Sequence, residues 1–138
     1  MKRAHLFSLS FAGMLALAGA NAWAAPDSLS VHVLDQNTGQ PAVGVHVDLE
    51  RKIDHRWRGL GTGVTDRDGR IKALFPAGEP FVDGEYRVVF HTGDYHGKAK
   101  AAAFFPEIVV PFMVEDANQR YHIPLLLSRY GYTVYRGR

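Results

Sequence analysis

Apolar and polar residues alternate along this chain in short runs separated by turn signals, and the period of two recurs from Leu29 nearly to the end. Such alternation marks half-buried strands, with one face turned to a core and the other to water. Leu29 to Asp35 sets Val31 and Val33 on one face and Ser30, His32 and Leu34 on the other. After the turn residues Asn37, Gly39 and Pro41, a second strand lines Val43, Val45, Val47 and Leu49 against His46 and Asp48. A third run, Arg56 to Val64, is weaker because Gly59, Gly61 and Gly63 interrupt it.

Asp66-Arg67-Asp68-Gly69 reads as a tight turn, since an aspartate side chain can bond its own backbone and glycine accepts positive φ. It delivers Arg70 to the start of a short strand ending near Phe75. Further strands are expected at Tyr86 to His91, Glu107 to Val114, Arg120 to Leu127 and Tyr130 to Tyr135. The one predicted helix spans Tyr95 to Phe104, on the strength of Ala99, Ala101, Ala102 and Ala103. About eight strands and one helix in this length predict an all-β sandwich.

The first residues stand apart from this pattern. Lys2 and Arg3 precede an apolar run from about Leu6 to Ala20, followed by Ala22-Trp23-Ala24, which is the layout of a secretory signal peptide. The run is too short and too rich in small residues to favour a spanning helix. Cleavage is expected after Ala24, so that 1–24 is the signal and 25–138 a single domain. In a host with two membranes the expected location is the periplasm.

Setting the signal aside changes the charge. Its two cations account for the whole formal net charge of +2, leaving a neutral domain with no reason to expect nucleic acid or an anionic membrane as partner. The chain has no cysteine, which excludes disulfides, a thiol nucleophile and thiolate metal ligands.

Chemistry must therefore come from other side chains. His32 faces away from Val31 and Val33, and His122 alternates in the same way between Tyr121 and Ile123. Each could be an ordinary outward-facing polar residue, or the two imidazoles could meet on one outer face, where a pKa near 6.5 suits proton transfer. Arg70 is either a solvated strand-end cation or a planar donor fork for a carbonyl or urea-like group. Tyr135 is a packing aromatic or a ligand contact. His46, His55, His91 and His96 lack a tight ligand spacing, so no metal site is predicted. No phosphate-binding glycine loop and no G-x-S-x-G elbow occurs.

Four segments together carry a resemblance: Leu29 to Asp35, the Thr65 to Arg70 turn, Phe104-Phe105-Pro106-Glu107, and the tail from Tyr121-His122-Ile123-Pro124 through Tyr135-Arg136-Gly137. In these the chain resembles the transthyretin-related family of 5-hydroxyisourate hydrolases over essentially its whole domain. The resemblance implies two four-stranded sheets, a homotetramer with active sites between paired dimers, and a catalytic cluster of His32, Arg70 and His122. It also implies that His32, Arg70 and Tyr135 bind the substrate. The implied reaction is hydrolytic opening of the six-membered ring of 5-hydroxyisourate to the ureidoimidazoline carboxylate OHCU, a step of urate breakdown, with no metal or organic cofactor. His122 or His32 would be the base. Members of the family usually end in Tyr-Arg-Gly-Ser, whereas this chain ends in Arg138. A non-enzymatic small-molecule carrier of the transthyretin type is the main rival reading, and an accessory module using the scattered histidines is a third.

Overall fold

The computed structural model describes residues 27–98 and 100–138, so the expected signal peptide lies outside the described residues. Among the described residues nine strands and one helix follow one another: β1 (Leu29–Asp35), β2 (Gln40–Pro41), β3 (His46–Ile53), β4 (Arg56–Val64), β5 (Arg70–Ile71), β6 (Gly84–Phe90), α1 (Thr92–Lys98), β7 (Ile108–Val114), β8 (Tyr121–Leu127) and β9 (Tyr132–Val134). They form the expected β-sandwich. One sheet runs β4-β3-β6-β7, and the other runs β2-β1-β8-β9 with β5 also paired to β1. The second sheet thus has five strands rather than four, because two short pieces, β2 and β5, both pair with β1.

Alternation decides which residues meet inside. Val31 and Val33 from β1, Tyr121, Ile123 and Leu125 from β8, and Val47, Leu49, Val88 and Phe90 from the facing sheet are all buried. Phe81 closes one end of this core, edge-on to Tyr121 at 5.8 Å and to Phe75 at 4.9 Å. The outward residues of β1 and β8 are left free for another use.

The glycines of β4 do not prevent a strand, and at Gly61 and Gly63 neighbours occupy the space a side chain would need. A Cβ at Gly61 would approach the Leu74 carbonyl to 3.0 Å, and one at Gly63 would approach Ile71 to 3.0 Å. This close cover also explains why β5 is shorter than expected. After Ile71 the chain leaves the sheet, the Leu74 amide donates to the Leu29 carbonyl at 2.9 Å, and Leu74 and Phe75 turn into the core.

The helix is displaced from its expected position. It begins at Thr92 and ends at Lys98, while Ala101, Ala102 and Ala103 lie in a loop and Ala99 is outside the described residues. Tertiary bonds override alanine propensity here. Thr92 Oγ1 donates to the Phe105 carbonyl at 2.5 Å and the Gly93 amide to the Pro106 carbonyl at 2.7 Å, which ties the helix start to the segment beyond it. Lys100, at φ 54°, takes a left-handed conformation that no helix continues through. Among the described residues no helix is long and apolar enough to cross a membrane.

Candidate active site

Two pairings at β1 assemble the site. β1 and β8 run parallel, with Ser30 opposite His122 and His32 opposite Pro124, while on the other side of β1 the antiparallel β5 puts Arg70 opposite His32. Ser30 and His32 are two residues apart and so share the outer face. The three expected catalytic residues, His32, Arg70 and His122, therefore gather across adjacent strands.

Each is held by local structure. The Asp66 carboxylate accepts the amides of Asp68 and Arg70, both at 2.9 Å, which fixes the turn that presents Arg70. Those backbone bonds, that of Arg70 foremost, hold the Asp66 carboxyl below its usual range. Gly69 closes the turn at φ 70°, and its carbonyl accepts a hydrogen bond from the Val33 amide at 2.8 Å. A Cβ there would lie 2.5 Å from the Val33 carbonyl oxygen, so only glycine fits without movement. The turn is thereby seated on β1 beside His32.

His122 is held from two directions. Ser30 Oγ lies 2.8 Å from its Nδ1, and the Gly137 amide donates to its backbone carbonyl at 2.9 Å. The tail lies directly on the ring: a Cβ at Gly137 would stand 2.5 Å from His122 Cδ2 and 3.0 Å from Pro124 Cγ. Arg136 anchors the tail through a 2.8 Å bond from Nη2 to Gln119 Oε1, with its guanidinium 4.9 Å from the centre of the Tyr121 ring.

Burial lowers the pKa of both imidazoles, and the Arg70 guanidinium lowers each further. His32 adds to the effect on His122. Hydrogen bonding to the Asp68 backbone and the charge of Asp66 oppose the shift at His32, and the Ser30 backbone opposes it at His122. Both rings are consequently held toward the neutral, proton-accepting form at neutral pH.

An open cleft of about 520 Å³ lies over this face, and Ser30, Arg70, His122 and Gly137 are among the residues lining it. Tyr135 does not line this cleft. It is half exposed and borders a smaller pocket of about 230 Å³, which His122 also touches. Sequence reading did not single out Ser30 as a functional residue. Its signal was available in its position two residues before His32 on the same face.

The remaining histidines lie on other elements, with His46 and His91 both beside Asp48. His91 Nε2 pairs with Asp48 Oδ2 at 2.7 Å on the other sheet, His55 sits in the β3–β4 turn, and His96 is buried in α1. Among the described residues no cluster of three or more His, Asp or Glu side chains is arranged to hold a metal ion.

A two-sheet sandwich with an imidazole and guanidinium cluster on one outer face defines a transthyretin-like protein with a polar surface site. Residues 29–137 match the HIUase/Transthyretin family, and the chain belongs to it. It is 50% identical over 137 residues to the 5-hydroxyisourate hydrolase of Salmonella dublin, covering 99% of both chains. The solved Klebsiella pneumoniae 5-hydroxyisourate hydrolase superposes with a TM-score of 0.70 at 32% identity, over 80% of this chain and 97% of that one. Sea bream transthyretin in complex with thyroxine superposes with a TM-score of 0.75 at 33% identity, over 80% of this chain and 94% of that one.

Proposed function

We propose that this protein is a 5-hydroxyisourate hydrolase, opening the six-membered ring of its substrate to OHCU in urate breakdown, with His122 as general base. The observation that carries this reading is the juxtaposition of the Ser30–His122 pair with the His32–Arg70 pair on one strand face. The close likeness to the Salmonella dublin hydrolase supports the choice of substrate.

In the proposed mechanism Ser30 Oγ accepts the Nδ1 proton of His122, leaving Nε2 as the basic nitrogen. Nε2 takes a proton from water as its oxygen adds to the ring carbonyl, and Arg70 stabilises the oxyanion that forms. The imidazolium then returns the proton to the ring nitrogen as the carbon–nitrogen bond breaks. The new carboxylic acid ionises, so the product carries a negative charge. His32, opposite Arg70, orients the guanidinium and contacts the substrate, and Tyr135 contributes to binding from the pocket behind His122.

The carrier reading draws on the sea bream structure with thyroxine, whose fold is equally similar. Fold alone does not choose between them. A carrier has no need of a neutral imidazole fixed at Nδ1 beside a guanidinium, and this feature favours hydrolysis.

The assembly is proposed to be a homotetramer, matured by cleavage after Ala24 and exported to the periplasm. Edges at β7 and β9 that are unpaired among the described residues, and the exposed Phe104 and Tyr130, support association. An absorbance assay of 5-hydroxyisourate decay with and without the purified protein tests the activity. Acceleration over spontaneous decay is the expected result, and none would favour the carrier.

A further inference from the structure

The mouth of the cleft carries more positive charge than ring opening requires. Arg70, Lys72, Arg120 and Arg138 all line it, against the acidic side chain of Asp27. Four cationic side chains facing one acidic side chain leave an excess of positive charge among the lining residues. Asp27 is already engaged by Arg120 at 2.9 Å, and Asp66, whose charge reaches Lys72, spends its carboxylate on the amides of its own turn. Among the described residues Arg70, Lys72 and Arg138 make no ion pair. Arg70 has a task at the reacting carbonyl. Arg138 has none there, and it stands on the residue next to Gly137, which lies against the His122 ring.

We propose that Arg138, together with Lys72 on the same cleft, forms an anion subsite that takes planar heterocycles bearing an ionised carboxylate. A guanidinium offers a planar donor fork matched to a carboxylate, and a half-enclosed cleft strengthens such a contact relative to open water. The natural occupant rests on the hydrolase reading. Ring opening converts a cyclic amide into a carboxylate, so the product gains the very group this subsite holds, and Arg138 biases the cleft toward product retention and toward inhibition by other anionic heterocycles.

Orotate and uracil share one ring and differ by a carboxylate, which makes them suitable probes. Their binding to the full protein is measured by calorimetry at low and high salt, for the native chain and for Arg138→Ser, Arg138→Lys and Arg58→Ser. Arg58 is an exposed cation on the opposite sheet and controls for net charge. Arg138→Ser is expected to weaken orotate about fivefold, leaving uracil unchanged, with Arg138→Lys intermediate, Arg58→Ser native-like and added salt weakening orotate alone. Equal binding of the two probes, no detectable orotate binding, or orotate binding indifferent to Arg138 would overturn the subsite. Since the readout needs no turnover, Arg138-dependent orotate binding by a protein inert toward 5-hydroxyisourate would keep the subsite and remove only the hydrolase reading.

Discussion

Ser30 Oγ stands 2.8 Å from His122 Nδ1, a contact made between strands 92 residues apart in sequence. It exists because β1 and β8 pair in parallel, with those two residues opposite each other. The bond engages Nδ1 and orients the ring, leaving Nε2 outside that contact.

Ser30→Ala removes that bond and leaves the backbone pairing in place. A hydrogen bond of this kind contributes about 1 kcal/mol, so kcat should fall about fivefold to tenfold while KM changes little. Steady-state kinetics on freshly generated substrate checks this, and an unchanged kcat would mean that Ser30 does not orient the base.

The depressed pKa values of His32 and His122 set the pH behaviour. Activity should rise from acid pH and level off below the ordinary histidine value of about 6.5, because the base is already neutral there. For stability the sign is fixed by linkage. As pH falls below about 6.5 the unfolded chain takes up protons that the folded chain resists, so stability drops until the lower folded pKa is reached, and is fully present above 6.5. Histidine C–H chemical shifts followed by NMR should give both midpoints below 6.5. Substituting Arg70 by Met should raise both, since its charge lowers each.

Much of this arrangement is legible in the sequence. The alternation at Leu29–Asp35 and at Tyr121–Leu127 locates the strands and turns His32 and His122 outward, because the residues on either side, Val31 and Val33 for one and Tyr121 and Ile123 for the other, are buried. What alternation cannot supply is which strand neighbours which. The parallel register that joins Ser30 to His122, and the fold of the tail over the ring, depend on contacts distant in sequence. The alanine cluster misled for the same reason, since the bonds of Thr92 and Gly93 to Phe105 and Pro106 move the helix upstream.

Gly137→Ala probes the tail. The added methyl would meet His122 Cδ2 at 2.5 Å and Pro124 Cγ at 3.0 Å, so either the ring or the chain end must move. Turnover is expected to fall about tenfold or more, at the scale of about 1–3 kcal/mol typical of overpacking, with a small change in thermal midpoint because Gly137 lies outside the hydrophobic core. Native turnover in this variant would show that the tail yields without disturbing the base.

Gly69→Ala acts on the turn that presents Arg70. Its positive φ and the 2.5 Å approach to the Val33 carbonyl both oppose a side chain. Urea denaturation should show a loss of about 2 kcal/mol or more. A loss within experimental error would mean that the turn rearranges freely.

The proposed role of His122 is to move the proton in 5-hydroxyisourate hydrolysis, and His122→Asn removes that proton acceptor. Asparagine retains a polar group near Ser30 and a native-like shape while abolishing the titratable nitrogen. With spontaneous decay subtracted and the oligomeric state checked by light scattering, the catalysed rate should drop by about two to four orders of magnitude. A correctly assembled His122→Asn protein that turns over substrate near the native rate would contradict it.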